Sequence, residues 1–294
     1  MNVIVEKCAQ SGASFKVHSE REEVYEAIKS RDWDYVILQG YSRELTFDPE
    51  HIDTATVPYL NKITTSIYDN YACTNVLFYM TWGYEDGYHE REETNSYLKM
   101  AHKIEEGYRY LSDVYNVPAV PVGMVWKEVK ATNSMDLYAK DRAHPSKEGS
   151  YLVASTFFES IFGFQQNENI GLIKERRART IREAVSDVVT EKRELYKLNR
   201  HQLDLEILSD ETGDKKDRFS VKYTLDHANA KSIQWIFDEE ETREGTEGIF
   251  EFEKRGKHKI QANVVTECGN TRTYEREIDF KAINCRRNRR KQED

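Results

Sequence analysis

The sequence predicts an α/β domain followed by an all-β domain. Over the first half of the chain, short apolar runs alternate with segments of helical period, the pattern of a parallel sheet with helical crossovers. After His201 the texture changes to short runs with period-two alternation, separated by Gly, Asn and Asp clusters, which is the pattern of a β-sandwich. Polar residues gather where the parallel strands should end: Ser11-Gly12, Gln39 and Ser42, Thr81 and Trp82, and then Asp141 with His144. Parallel sheets hold ligands at the carboxyl ends of their strands, so a site is expected there.

The chain has 294 residues, enough for one large or two modest domains. A net charge of −9 argues against a general nucleic-acid binder, which needs a basic face. The one basic cluster is the final run CRRNRRKQED, read as a solvated tail over 284–294. None of the four cysteines sits in a CxxC pair, so no zinc site is expected. Cys268 and Cys285 could pair in an oxidising compartment. No apolar run reaches the length of a membrane span and no secretory signal opens the chain. Localisation and oligomeric state stay open.

Taken in order, Val3 to Val5 reads as a first strand, ending in the turn cluster Ser11 to Ser14. EREEVYEAIKSR reads as a short amphipathic helix. Tyr35 to Leu38 is an apolar run of the kind buried on both faces, closed by Gln39-Gly40. A loop containing Pro49 leads to one helix through Val57, Leu60, Ile63 and Ile67. Val76 to Met80 is a third strand, and EREETNSYLKMAHKIEEGYRYLSDVYN a long helix with an acidic start. VPAVPVGMVW reads as a fourth strand, followed by a loop through Asn133 and Met135. In LYAKDRAHPSKEGSYL, Asp141 precedes His144 by three residues, and Pro145 and Ser146 open the last helix of the domain.

The stretch from 169 to 199 is charged and helical, with a packing stripe of Leu172, Ile173, Ile181, Val185 and Val188-Val189, and reads as a structural connector. Beyond it lie DLEILSD, RFSVKYTL, KSIQWIFD, GIFEFEK, HKIQANVVT and TRTYEREIDF, each with strand alternation. Trp235 sits where a core tryptophan of an inner strand belongs. The expected boundaries are an α/β domain over 1–165, a connector over 166–201, a β-sandwich over 202–283 and the tail.

A carboxylate close to an imidazole at the mouth of a helix is the orienter and base of a nucleophilic hydrolase. The same spacing also occurs as a plain helix start. Four blocks tilt the reading: SGAS (Ser11 to Ser14), WDYVILQG (Trp33 to Gly40), MTWG (Met80 to Gly83) and DRAHPSKEGSYL (Asp141 to Leu152). In that order they resemble the SGNH/GDSL hydrolases, in the branch reading Gly-Gly-Ala, Trp-Asp-Tyr-Val-Val-Leu-Gln, Met-Thr-Trp-Gly and Asp-x-x-His-Pro-Ser-x-x-Gly-Ser-Tyr-Leu. The resemblance covers about the first 165 residues. It implies a three-layer, flavodoxin-like domain. The β region resembles a PKD-like or immunoglobulin-like module, a spacer or adhesion domain.

The resemblance also implies roles. His144 would be the general base and Asp141 its orienter. The Gly12 N–H would donate to an oxyanion. The family's second donor is often an Asn, which is missing after the second strand, so Gln39 is the substitute candidate; the alternative is a strand-end amide bonded to a neighbouring loop. Trp82, with Tyr84 and Trp126, could wall a sugar or acyl group, or simply pack. The family's nucleophile is a Ser in a Gly-Asp-Ser or Gly-Asn-Ser turn, and no such turn precedes Gly12. Ser11, Ser14 and Ser42 read as turn and cap residues. The expectation is that the serine lies upstream of Met1.

The expected function is therefore an SGNH-type esterase acting on acyl esters, acetyl groups on carbohydrate in particular, without metal or cofactor. The alternative is a nucleophile-less module that binds glycan or protein. A metal-dependent phosphoesterase built on Asp141 and His144 would need further ligands at strand ends, and none stands out. His18 and His89 have no ligand spacing.

Overall fold

The computed structural model describes residues 3–132, 135–163, 173–198, 203–208, 219–225, 227 and 229–280. Asn133, Cys285, the basic tail and the chain around the expected boundary at 202 lie outside them. The chain divides into two units, Met1–Leu198 and Asn199–Asp294.

The first unit is built on a parallel three-stranded sheet of β1 (Tyr35–Leu38), β2 (Asn75–Tyr79) and β3 (Ala119–Val120), in that spatial order. Tyr35 lies opposite Asn75, and Phe78 opposite Ala119, so all three strands end on one edge. Val3 to Val5, expected as a strand, lies in no strand, and the three side chains are exposed. An apolar run becomes a strand only beside a neighbour that takes up its backbone groups.

Ser14 caps the short helix α1 (Phe15–Ser19) by accepting the Val17 N–H. Helix α2 (Glu22–Lys29) buries Val24 and Ile28, as its period requires. The helix expected after Pro49 is two helices, α3 (Pro49–Ala55) and α4 (Val57–Asn70). Asp48 caps α3 at the His51 N–H, with Pro49 in the first turn. Pro58 lies in the first turn of α4, where its missing N–H costs nothing. It cannot continue a preceding helix, which accounts for the break at Thr56. Helix α5 (Tyr97–Tyr115) starts at its Ser96 cap, later than the acidic residues suggested, and ends on Asn116 in the left-handed region.

The expected fourth strand is mostly helix. Only Ala119–Val120 pairs; α6 (Val122–Thr132) follows at once. Pro121 has no N–H for a ladder, and its carbonyl accepts the Met124 and Val125 N–H groups instead. Val122, Val125, Trp126 and Val129 then fall on one buried face. Helix α7 (Lys147–Phe162) begins after the Ser146 cap. Pro145 stands just before that cap, bridged to Tyr138.

Helix α8 (Glu175–Glu191) lies in the stretch read as a connector, and it packs on α6 and α7. Its Ala178, Ile181, Val185 and Val189 are buried in the core of the first unit.

The second unit has two antiparallel sheets. One is ordered β10-β9-β6-β7 and the other β4-β5-β8. The strands are β4 (Leu203–Leu208), β5 (Phe219–Leu225), β6 (Ala230–Phe237), β7 (Glu241–Glu244), β8 (Glu247–Phe252), β9 (Lys257–Thr266) and β10 (Thr271–Asp279). Alternation along β9 buries Ile260, Ala262 and Val264 in one core with Trp235, Val221 and Phe237. Trp235 is fully buried, and its indole N–H donates to the Gly245 carbonyl.

Candidate active site

The loop between Leu137 and Ser146 is closed at its base before any functional group is placed. The Ala139 N–H donates to the His144 carbonyl at 2.8 Å, and the Ser146 N–H to the Leu137 carbonyl at 2.9 Å. Ser146 caps α7 through its hydroxyl, which accepts the Gly149 N–H. Residue 149 must be glycine: a Cβ there would come within 2.3 Å of the Leu137 oxygen and 2.7 Å of the Trp126 ring. The glycine of the DRAHPSKEGSYL block thus lets the helix start lie against the loop.

Inside this loop Asp141 and His144 meet. His144 Nδ1 is 2.7 Å from Asp141 Oδ2. The other carboxylate oxygen accepts the backbone N–H groups of His144 (2.9 Å) and Ala143 (3.0 Å). Those bonds, with the imidazole contact, hold the Asp141 carboxyl down to about 2. An ionised carboxylate only accepts, so Nδ1 carries the proton and donates it. In the neutral ring this leaves the lone pair on Nε2. His144 is 74% exposed, and among the described residues nothing hydrogen-bonds Nε2. The arrangement is an imidazole oriented by a carboxylate, with its second nitrogen open to solvent.

The loop is attached to the carboxyl edge of the sheet by the segment that leaves β2. The Trp82 indole N–H donates to the Ala143 carbonyl at 3.0 Å, and the Glu85 N–H to the Arg142 carbonyl at 2.9 Å. Arg142 returns ion pairs to Glu85 (3.0 Å) and Asp86 (2.5 Å). Trp82 stacks on Trp126 with ring centroids 4.2 Å apart and planes within 5°. Trp126 is fully buried, so of the expected aromatic wall it belongs to the packing. The Tyr138 hydroxyl donates to the Gly83 carbonyl at 2.7 Å, closing the same seam.

The two candidate oxyanion donors stand at other strand ends. Gln39 follows β1 directly and is exposed. Gly12 sits in an exposed turn at φ 68°, a conformation suited to glycine. Glu44 links their two segments: both of its carboxylate oxygens accept the Phe15 N–H, at 3.0 and 3.1 Å. The structure thus joins Asp141, His144 and Trp82 in one bonded cluster, whereas Gly12 and Gln39 lie on two segments that Glu44 links through the Phe15 N–H.

One solved structure shares the fold at a TM-score of 0.50. It is a DUF4886 family protein from Bacteroides uniformis, 18% identical, matched over 57% of this chain and 66% of its own length. An acetylxylan esterase from Geobacillus stearothermophilus matches at a TM-score of 0.37 and 18% identity, over 54% of this chain and 72% of that one. The PKD1 domain of the Vibrio cholerae metalloprotease PrtV matches at 0.22 and 17% identity, over 26% of this chain and 89% of that domain. No protein-family model matches the sequence, and no curated protein does either.

Sequence reasoning missed Arg142 and Glu44. Arg142 had a visible signal, the acidic pair Glu85-Asp86 just after the MTWG block. Glu44 had none; its burial follows from contacts 29 residues apart. Among the described residues no group of His, Cys, Asp and Glu is placed to hold a metal ion, and no helix is long and apolar enough to cross a membrane.

Proposed function

We propose that the first unit is an SGNH-type ester hydrolase. The observation that carries this reading is the Asp141–His144 pair at 2.7 Å, with Nε2 open, at the carboxyl edge of a parallel sheet. In this reading Nε2 removes the proton from an attacking serine hydroxyl as its oxygen bonds to the ester carbonyl carbon. The resulting imidazolium is stabilised by Asp141 and returns the proton to the departing alkoxide. An acyl-serine forms; water, activated by the same nitrogen, releases the acid. The Gly12 N–H and the Gln39 amide would hold the oxyanion, and the exposed part of Trp82 would face the acyl or sugar group. The substrate class is an acyl ester, acetyl on carbohydrate in particular.

Ser14 is committed to its cap, so the nucleophile is assigned elsewhere, to a strand laid along the outer edge of β1. Among the described residues that strand pairs only with β2, and its Ile37 is 45% exposed. The test is hydrolysis of a short-chain aryl ester by the protein expressed with any coding sequence that precedes Met1. Hydrolysis that falls at least about a thousandfold in His144→Ala supports the proposal. Undiminished activity in that variant sinks it, as does inactivity of the parent protein.

A further inference from the structure

The first unit buries a carboxyl group that the proposed chemistry does not use. Glu44 is 5% exposed, on the segment that follows β1. It sits against Gly40, where a Cβ would come within 2.3 Å of its Oε2, so the glycine makes room for the carboxyl group. Its oxygens both take the Phe15 N–H, the first amide of α1 and three residues past Gly12. The Tyr41 N–H and the Thr56 hydroxyl also favour its charged form. Glu44 thus gathers donors from the start of α1, from its own loop and from the junction of α3 and α4.

We propose that Glu44 is a positioning residue: it ties the turn carrying Gly12 to the loop carrying Gln39 and so sets the spacing of the two oxyanion donors. The role in catalysis rests on the esterase reading above; the tie itself does not. Ala13 and Phe15 anchor α1 by burial, but Ser11 and Gly12 before them are exposed, and the Glu44 bond to the Phe15 N–H is a polar link from this segment to the loop after β1. The Ala13 N–H to Gln10 carbonyl bond, at 3.3 Å, lies within the turn and cannot fix its distance from β1.

The tie is also proton-dependent. Burial pushes the Glu44 carboxyl up to about 7, against the Phe15, Tyr41 and Thr56 donors that oppose the shift. The ionisable groups around it are Tyr41 on its own loop and the buried Tyr108 on α5, both raised partly by the Glu44 charge. The Arg43 and Arg91 charges oppose that shift at Tyr41. In an opened turn Glu44 would be hydrated and titrate near its ordinary value. The closed form therefore binds the proton more tightly, and opening becomes easier as pH rises through about 7.

Amide exchange on the protein as it stands reads the tie directly. Phe15 protection, corrected for intrinsic exchange, should fall as pH rises through about 7 in the parent and stay flat in Glu44→Gln. Glu44→Gln keeps a carbonyl acceptor and should keep the protection; Glu44→Ala should lose it about tenfold or more. Full protection in Glu44→Ala overturns the tie, and a parent as flat with pH as Glu44→Gln overturns its proton dependence. Should Glu44→Ala fail to fold, Glu44→Leu, which fills the space without an acceptor, takes its place and should lose the protection likewise. The positioning role is read on the aryl ester. Glu44→Ala should lower kcat about tenfold at unchanged KM, with recovery in Glu44→Gln; an unchanged kcat overturns it. A parent that hydrolyses no ester removes the esterase reading and with it the catalytic role, while exchange still decides the tie.

Discussion

The protein contains two His–Asp pairs with nearly the same short contact and opposite surroundings. In the first unit His144 Nδ1 is 2.7 Å from Asp141; in the second His258 Nδ1 is 2.6 Å from Asp238. The difference is at the other nitrogen. His258 Nε2 lies 2.8 Å from the Lys254 carbonyl, and the ring packs on Phe252 with centroids 4.0 Å apart. His258 is 8% exposed and His144 74%. Both nitrogens of His258 are engaged, so the pair fastens the turn after β6, where Asp238 also accepts the Lys259 N–H, to β9. His144 has one nitrogen fastened and one to spare. A His–Asp contact is therefore not a catalytic signature until the fate of the second nitrogen is known.

The largest expected effect separates the two pairs by chemistry. Asp141→Asn replaces an acceptor-only group with one that can present an N–H to Nδ1. The imidazole then carries its proton on Nε2 and is no base. Ester hydrolysis should fall at least about a hundredfold with the melting temperature unchanged. The acid side follows from the same group. The carboxyl is lowered to about 2, so the ionised, bonded form is complete above its ordinary value of 3.8 and is lost as pH falls through about 2. Between pH 4 and 7 Asp141 therefore stays ionised, and its own protonation should cost no rate there; a loss of rate in that range that traces to Asp141 would break the assignment.

The next effect is structural. His258→Ala removes a buried ring that packs on Phe252 and bonds both the Asp238 carboxylate, itself 40% exposed, and the Lys254 carbonyl. The second unit should lose about 1–3 kcal/mol, seen as an earlier melting transition of that unit. Ester hydrolysis should not change. A fall in hydrolysis with stability intact would erase the distinction between the pairs.

The two units were also unequally legible in the sequence. In the second, period-two alternation announced each strand that buries side chains. Only β7 was missed, because all four of its residues are exposed and it has no apolar period to read. In the first, continuous apolar runs misled. Val117 to Trp126 fits a buried strand and a buried helix equally well, and Pro121 decides between them by ending the ladder. Asp141 and His144 were readable because three residues separate them. Trp82 reaches Ala143 across 61 residues and Glu44 reaches Phe15 across 29, so their roles are products of the fold, invisible to local pattern.

The smallest expected effect concerns how each pair is braced. The His258 ring is braced by burial against Phe252, a contact that salt does not screen. The His144 loop is braced from outside by Arg142, 57% exposed, on Glu85 and Asp86. Exposed ion pairs add little stability and weaken as salt shortens the reach of the charges. Arg142 also adopts φ 62°, a conformation that a non-glycine residue holds only when its surroundings favour it. Yet the dyad is internally bonded: Asp141 accepts from Ala143 and His144 whatever Arg142 does. Arg142→Ala should therefore leave melting unchanged and lower ester hydrolysis only a few-fold, through a loop that wanders more against Trp82. Added salt should reduce the parent's rate toward that of the variant and leave the variant nearly flat. If the variant instead loses as much activity as Asp141→Asn, the loop is held by its outer brace, and the internal bonds of the dyad are not sufficient to present Nε2.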